Sequence, residues 1–280
     1  MASFEVMRAE HAGACYGVQR ALDLTAQAAH DHDSVCTLGP LIHNPRVVAE
    51  LASEGVDVAD APDKATGEAV VIRSHGVVPQ VIRELEAHGL AVVNATCPYV
   101  MRAQKAAEQL AAEGRIVLVV GEDGHPEVES ISAHAQEAGA RCVVVDGPAD
   151  LPAVLDGPVG VVVQTTQTPA KLDAVVQAVR ERGVEPAVRD TVCVATQQRQ
   201  QAAVDLAAHA DVMLVLGGRN SSNTTRLAEL CAQRCTTHHI EGAEEVDPAW
   251  FEGAAIVGVT AGASTPEAHI DELCACLARM

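Results

Sequence analysis

The sequence predicts an α/β protein made of three repeated units that close a threefold ring, and three observations carry this. Short β-branched runs alternate with amphipathic stretches of about 10 to 16 residues, the pattern of parallel-sheet α/β units. Hydrophobic residues make up 48% of the 280 positions but aromatic ones only 2%, so the core must be Val, Ala, Leu and Ile, as buried parallel strands require. Three cysteines, Cys15, Cys97 and Cys193, each stand between a strand and a helix, 82 and 96 residues apart and so near thirds of the chain.

Taken in order, strands are expected at 5–8, 35–38, 69–73, 91–95, 116–120, 142–145, 159–163, 212–216 and 255–259, with helices between them. The stretch 99–113 carries Met101, Ala103, Ala106, Ala107, Leu110 and Ala111 on one helical stripe. No low-complexity linker divides the chain. The repeat instead gives lobes at 14–96, 97–192 and 193–280. The third lobe ends in a helix at 266–279 without a closing strand, and the N-terminal segment 1–13 can supply one.

The register repeats within each lobe. Twenty-eight residues after each cysteine stand His43 in GPLIHNP, His125 in GEDGHPE and Ser221 in GGRNSSN, each at a strand end where a helix begins. Free backbone N–H groups at such ends bind anions. A later polar loop also recurs, as Ser74-His75, Thr165-Thr166 and Ser264. Ligands of open parallel sheets sit at the carboxyl ends of the strands, so each third is expected to give one central site a thiolate, an anion-binding loop and a polar loop. Gly217-Gly218 permits close backbone approach and is a weak signal alone.

Charge narrows the ligand. Lys+Arg 19 against Asp+Glu 38 gives −19, with lysine only at 64, 105 and 171, which argues against nucleic acid or an anionic membrane as partner. No apolar run reaches the ~18 residues of a membrane span, and MASFEVMRAEHAG lacks signal-peptide regions, so a cytoplasmic protein is expected. Nine cysteines is an odd count that suits metal or redox chemistry in a reducing compartment, although a lone cysteine is also a good small core residue. Cys231, Cys235, Cys274 and Cys276 read as helical core or surface thiols.

Three converging thiolates could hold zinc, but structural zinc sites use four ligands and close Cys pairs. Iron-sulfur cubes take four cysteines, so a set of three would leave one iron open to a substrate oxygen. Histidines at matched loops, together with Ser221, Ser222, Asn223 and Ser264, form a pocket in which neutral donors, cationic histidines and helix N-termini meet a diphosphate. Glu127, two residues past His125, is placed for proton delivery; the same carboxylate also suits a first helical turn, where the dipole favours negative charge. Glu129 is expected in solvent.

Over essentially its whole length the chain resembles the 4-hydroxy-3-methylbut-2-enyl diphosphate reductases, or LytB proteins, of the non-mevalonate isoprenoid pathway. The segments that carry the resemblance are AEHAGACYGVQRA, GPLIHNPRVV, RSHGV, NATCPYV, GHPEVE, QTT, DTVCVATQQRQ, RNSSNTTRLAEL and GVTAGAST. The resemblance implies a trefoil of three α/β lobes and a 4Fe-4S cluster held by Cys15, Cys97 and Cys193 with one open iron. It implies that His43, His75, Ser221, Ser222, Asn223 and Ser264 bind diphosphate. His125, Glu127 and Thr165 would then handle the substrate hydroxyl and its protons. An electron donor such as ferredoxin or flavodoxin follows, with reductive dehydroxylation of the allylic diphosphate as the reaction. Two departures are visible: Ala14 where many members carry an aromatic residue, and Ser130 where many carry glycine. A redox-neutral hydro-lyase and a non-catalytic iron-sulfur sensor are the alternatives, separable by dependence on an electron donor.

Overall fold

A computed structural model describes residues 4–280; positions 1–3 of the expected closing segment 1–13 lie outside the described residues. In chain order the elements are β1 (Glu5–Arg8), α1 (Tyr16–Asp31), β2 (Val35–Leu38), α2 (Pro45–Ser53), β3 (Val56–Ala59), β4 (Ala69–Ile72), α3 (Pro79–Ala87), β5 (Ala91–Asn94) and α4 (Pro98–Ala112). They continue with β6 (Ile116–Val120), α5 (Pro126–Glu137), β7 (Cys142–Val145), β8 (Val159–Val163), α6 (Pro169–Glu181), β9 (Ala187–Arg189) and α7 (Val194–Ala207). The last are β10 (Val212–Leu216), α8 (Ser222–Ala232), β11 (Thr236–Ile240), β12 (Ile256–Ala261) and α9 (Glu267–Leu277). Helices α2 to α6 all open on proline, whose fixed φ suits the first helical position, where its missing N–H leaves no bond unmade.

The predicted class is observed: three four-stranded sheets, each wholly parallel, flanked by helices. Strands β3 and β11 were not anticipated, β9 was expected before Cys193 but without limits, and all three lie at sheet edges. Cys235, expected in a helix, falls beyond the end of α8.

Two compact units emerge. One combines the chain up to Gln19 with Ile42–Glu50 and Val194–Met280; the other takes Arg20–Leu41 and Leu51–Cys193. The first unit holds the sheet β1-β12-β10-β11, in which Glu5 to Arg8 run in register with Ile256 to Val259. The earliest strand of the chain therefore completes the sheet of its last third. Phe4 packs on buried Phe251 at 5.0 Å between ring centres, fastening that strand. Around them Leu214, Leu216, Val257, Val259, Ile270 and Leu273 form an aliphatic core.

The second unit holds two sheets, β3-β2-β4-β5 and β7-β6-β8-β9. Their inner strands β2, β4, β6 and β8 are buried at every position. Such strands are stabilised by ~1.5–3 kcal/mol per large aliphatic side chain removed from water, which explains how a core can do without rings.

Strand order is the same in all three sheets. The strand before each cysteine (β1, β5, β9) is at one edge; its neighbour (β12, β4, β8) ends in a polar loop; the next (β10, β2, β6) leads to the loop 28 residues past a cysteine. Backbone hydrogen bonds repeat as well. Cys15, Cys97 and Cys193 donate their N–H to the carbonyls of Ala263, Ser74 and Thr165 at 3.1, 2.9 and 3.0 Å. Gly39, Gly121 and Gly217, spaced like the cysteines, donate to Ala59, Val145 and Ile240 at 2.8, 3.0 and 2.9 Å.

Candidate active site

In the second unit, α5 begins at His125, whose Nδ1 accepts the Glu127 N–H at 3.1 Å and so caps the helix. With Nδ1 accepting, the ring proton belongs on Nε2. Burial, with the positive charge of Arg73 as the lesser cause, pulls the pKa of His125 down to about 4. A cation is thereby corrected to a neutral donor: at this position the expected positive histidine does not form in the free protein. The His75 ring meets that of His125 edge-on, centres 5.6 Å apart.

Glu127 sits in the first turn of α5 with 2% exposure. Its Oε1 accepts the Thr165 N–H at 2.6 Å and its Oε2 the Thr165 hydroxyl at 2.9 Å. Desolvation raises its pKa to about 7, although both Thr165 bonds favour the charged form. A carboxyl poised there exchanges a proton near neutrality. Thr165 also accepts the Cys193 N–H through its carbonyl, so one residue joins the carboxyl to a cysteine-bearing segment. Glu129 is exposed, as expected.

In the first unit the position 28 residues past Cys15 falls one residue before the helix cap. Asn44, not His43, caps α2: its Oδ1 accepts the N–H groups of Arg46 and Val47 at 3.1 and 3.3 Å. Asn44 Nδ2 donates to the Ser264 carbonyl at 2.9 Å, and Ser264 Oγ donates to the His43 carbonyl at 3.0 Å, so the two predicted loops are tied in both directions. Ser221 caps α8, its Oγ accepting the Thr224 N–H at 3.4 Å. A Cβ on Gly218 would lie 2.7 Å from the His43 carbonyl oxygen, which explains that glycine, and Gly217 has a φ of 142°.

Asn223 is 3% exposed, and neither its Oδ1 nor its Nδ2 has a hydrogen-bond partner in the protein. A buried amide left unmatched costs ~1–3 kcal/mol, so it marks a place where a polar ligand restores the bonds. Thr166 Oγ1, in the loop equivalent to Ser264 and His75, is another such atom. Asn44 and Arg73 were not singled out from sequence, although both lie within the recognised motifs, whereas Thr166 was read only as part of the recurring polar loop. Ser130 is fully buried between Gln104 and the Val77 carbonyl, bonded to both at 2.6 and 3.0 Å.

None of the nine cysteines is in a disulfide, and Cys15, Cys97 and Cys193 are all half-buried. Among the described residues no three His, Cys, Asp or Glu side chains crowd closely enough to hold a single metal ion. Cysteines of an iron-sulfur cluster each bind a different iron, and these three supply the thiol chemistry that such a group takes, each with its N–H committed to an equivalent carbonyl. No helix among the described residues is long and apolar enough to cross a membrane.

Comparison with known proteins bears on the chain as a whole. The chain is 44% identical over 272 residues to the 4-hydroxy-3-methylbut-2-enyl diphosphate reductase of Geobacter metallireducens, covering 96% of this chain and 95% of that one. It is 45% identical over 270 residues to the enzyme of the same name from Pelobacter propionicus, with the same coverage. A solved structure of (E)-4-hydroxy-3-methyl-but-2-enyl diphosphate reductase, the terminal enzyme of the non-mevalonate pathway, superposes with TM-score 0.74 at 39% identity over 100% of both chains. The Plasmodium falciparum E-1-hydroxy-2-methyl-but-2-enyl-4-diphosphate reductase shares the fold, with TM-score 0.91 at 21% identity over 98% of this chain and 88% of that one. The LytB protein family model matches residues 6–278, and this chain belongs to that family.

Proposed function

We propose that this protein is a 4-hydroxy-3-methylbut-2-enyl diphosphate reductase that removes the substrate hydroxyl with two electrons and two protons, releasing water and giving isopentenyl and dimethylallyl diphosphate. The observation that carries the reading is the buried Glu127 carboxyl, shifted to about 7 and bonded twice to Thr165. The chain divides on this reading into lobes 14–96, 97–192 and 193–280, the last completed by 1–13, and works in the cytoplasm, where thiols stay reduced.

Cys15, Cys97 and Cys193 would hold a 4Fe-4S cluster with one open iron, which when bound supplies electrons and a Lewis acid for the substrate oxygen. The protein's own part is binding and proton delivery. Asn223, Ser221, Ser222, Ser264, His43 and His75 would take the diphosphate, with the N-termini of α2 and α8 adding dipoles favourable to anions. His125, neutral with Nε2–H, donates a hydrogen bond without adding charge. The Thr165 hydroxyl donates to Glu127 Oε2 when the carboxyl is ionised; with Oε2 protonated that bond reverses, the hydroxyl turns to pass its own proton to the departing oxygen, and Oγ1 takes the proton of Oε2.

The test is an anaerobic assay of iron and sulfide content together with donor-dependent consumption of the allylic diphosphate. Wild-type kcat/KM is expected to fall as pH rises past about 7, because the donor form of Glu127 is lost there. Glu127→Gln is expected to keep cluster and substrate binding while turnover drops at least ~100-fold, the low end for general acid catalysis. Near-normal turnover in that variant would remove Glu127 from the role.

A further inference from the structure

We propose that a groove between α4 and the end of β9 docks a small acidic one-electron carrier protein; the proposal rests on the reductase reading above. The groove has a volume of about 420 Å³ and is lined on one side by Arg102, Lys105 and Gln109 of α4 and on the other by Arg189, Asp190 and Thr191. Three of these six carry positive charge and one negative, in a chain where Lys+Arg number 19 against 38 acidic residues. Arg102 and Lys105 are exposed and have no carboxylate partner among the described residues. Other cations are neutralised: Arg8, Arg46, Arg83, Lys171 and Arg219 each pair with an acidic side chain.

Arg189 pairs with Glu113 at 2.9 Å, but Glu113 also holds Arg115 at 2.6 Å, so one carboxylate serves two guanidinium groups. Asp190 turns its Oδ1 to the Val192 N–H at 3.0 Å. The lining of the groove is net positive, the reverse of the molecule as a whole.

Position ties this patch to electron entry. Cys97 caps α4, and Arg102 and Lys105 follow five and eight residues later, about 8 and 12 Å along the helix axis. Thr191, on the opposite wall, is two residues before Cys193 and is fixed to β8, its Oγ1 accepting the Val163 N–H at 3.1 Å and donating to the Val163 carbonyl. Arg102 lies over the Tyr99 ring at 5.7 Å. The groove is thus a rigid positive notch bounded by the segments that carry two of the proposed cluster ligands. Each turnover needs two electrons for one C–O bond broken, so a one-electron carrier must dock twice and leave between visits. Exposed charge pairs suit this, because they speed encounter more than they prolong residence.

The test is the double variant Arg102→Glu, Lys105→Glu, with a plant-type 2Fe-2S ferredoxin as carrier probe and reduced methyl viologen as the small donor. At low ionic strength the KM for ferredoxin is expected to rise at least ~10-fold while viologen-driven kcat and iron content stay at wild-type values. An unchanged ferredoxin KM overturns the proposal, and so does an equal loss with both donors. Ferredoxin binding to the wild-type protein is titrated separately at low and high salt, without turnover; absence of salt-sensitive binding also overturns it. If neither donor drives substrate consumption by the wild type, the reductase reading fails, and the binding titration still decides the groove.

Discussion

Asn223 shows how a proposed site residue differs from a core residue of similar burial. Fully buried Ser130 is matched, whereas both polar atoms of the Asn223 amide are unmatched inside the protein. On the proposed function the fold bears that cost for the diphosphate. Asn223→Ala is therefore expected to leave the melting temperature of the substrate-free protein unchanged or higher, while weakening binding of inorganic pyrophosphate by ~10-fold or more, about 1.4 kcal/mol. A lower melting temperature with unaltered pyrophosphate affinity would show the residue to be structural. Asn223 was legible in sequence because a polar loop recurs at equivalent strand ends. Its lack of partners was not, since that depends on tertiary surroundings. The same limit explains His125: the sequence places a histidine at a helix start, but only burial and Arg73 determine that it stays neutral.

At the level of elements, the sequence signal was strongest where strands are buried on both faces. Strands β6, β8 and β10 read as unbroken apolar runs, and their predicted limits are the observed ones. Edge strands carry half the signal. β11 is TTHHI, with only Ile240 buried, and β9 is three residues long, so neither gives a period to recognise. The 28-residue register was legible because each lobe spends the same helix and strand between cysteine and loop, yet in the first lobe the cap slips by one residue to Asn44. The turn after β10 must then fit closely against the His43 loop. Gly218→Ala places a methyl group 2.7 Å from the His43 carbonyl oxygen, a backbone atom that cannot rotate away. A loss of about 1–3 kcal/mol in urea unfolding is expected, together with weaker pyrophosphate binding. Unchanged stability would mean that the two loops do not constrain each other.

For the molecule as a whole, charge acts in two opposed ways. A net charge of −19 repels itself, and the surface ion pairs that offset it are each worth only about 0–1 kcal/mol. Raising salt from about 0.01 to 0.15 M shortens the screening length from roughly 30 to 8 Å, which relieves the diffuse repulsion more than it weakens contacts made at 2.5–3.2 Å, such as Arg46 with Glu272 and Arg141 with Asp156. The melting temperature is expected to rise by roughly 2 °C or more, since each kcal/mol moves it by about that much in a protein of this size. Carrier-driven turnover should move the other way over the same range, because screening weakens attraction between the groove at Arg102 and Lys105 and an acidic partner. Opposite signs separate the two effects: a protein that becomes more heat-stable while losing only its ferredoxin-dependent rate has lost an encounter, not its fold. A melting temperature that falls with salt would instead show that ion pairs, rather than net repulsion, govern the electrostatics of this chain.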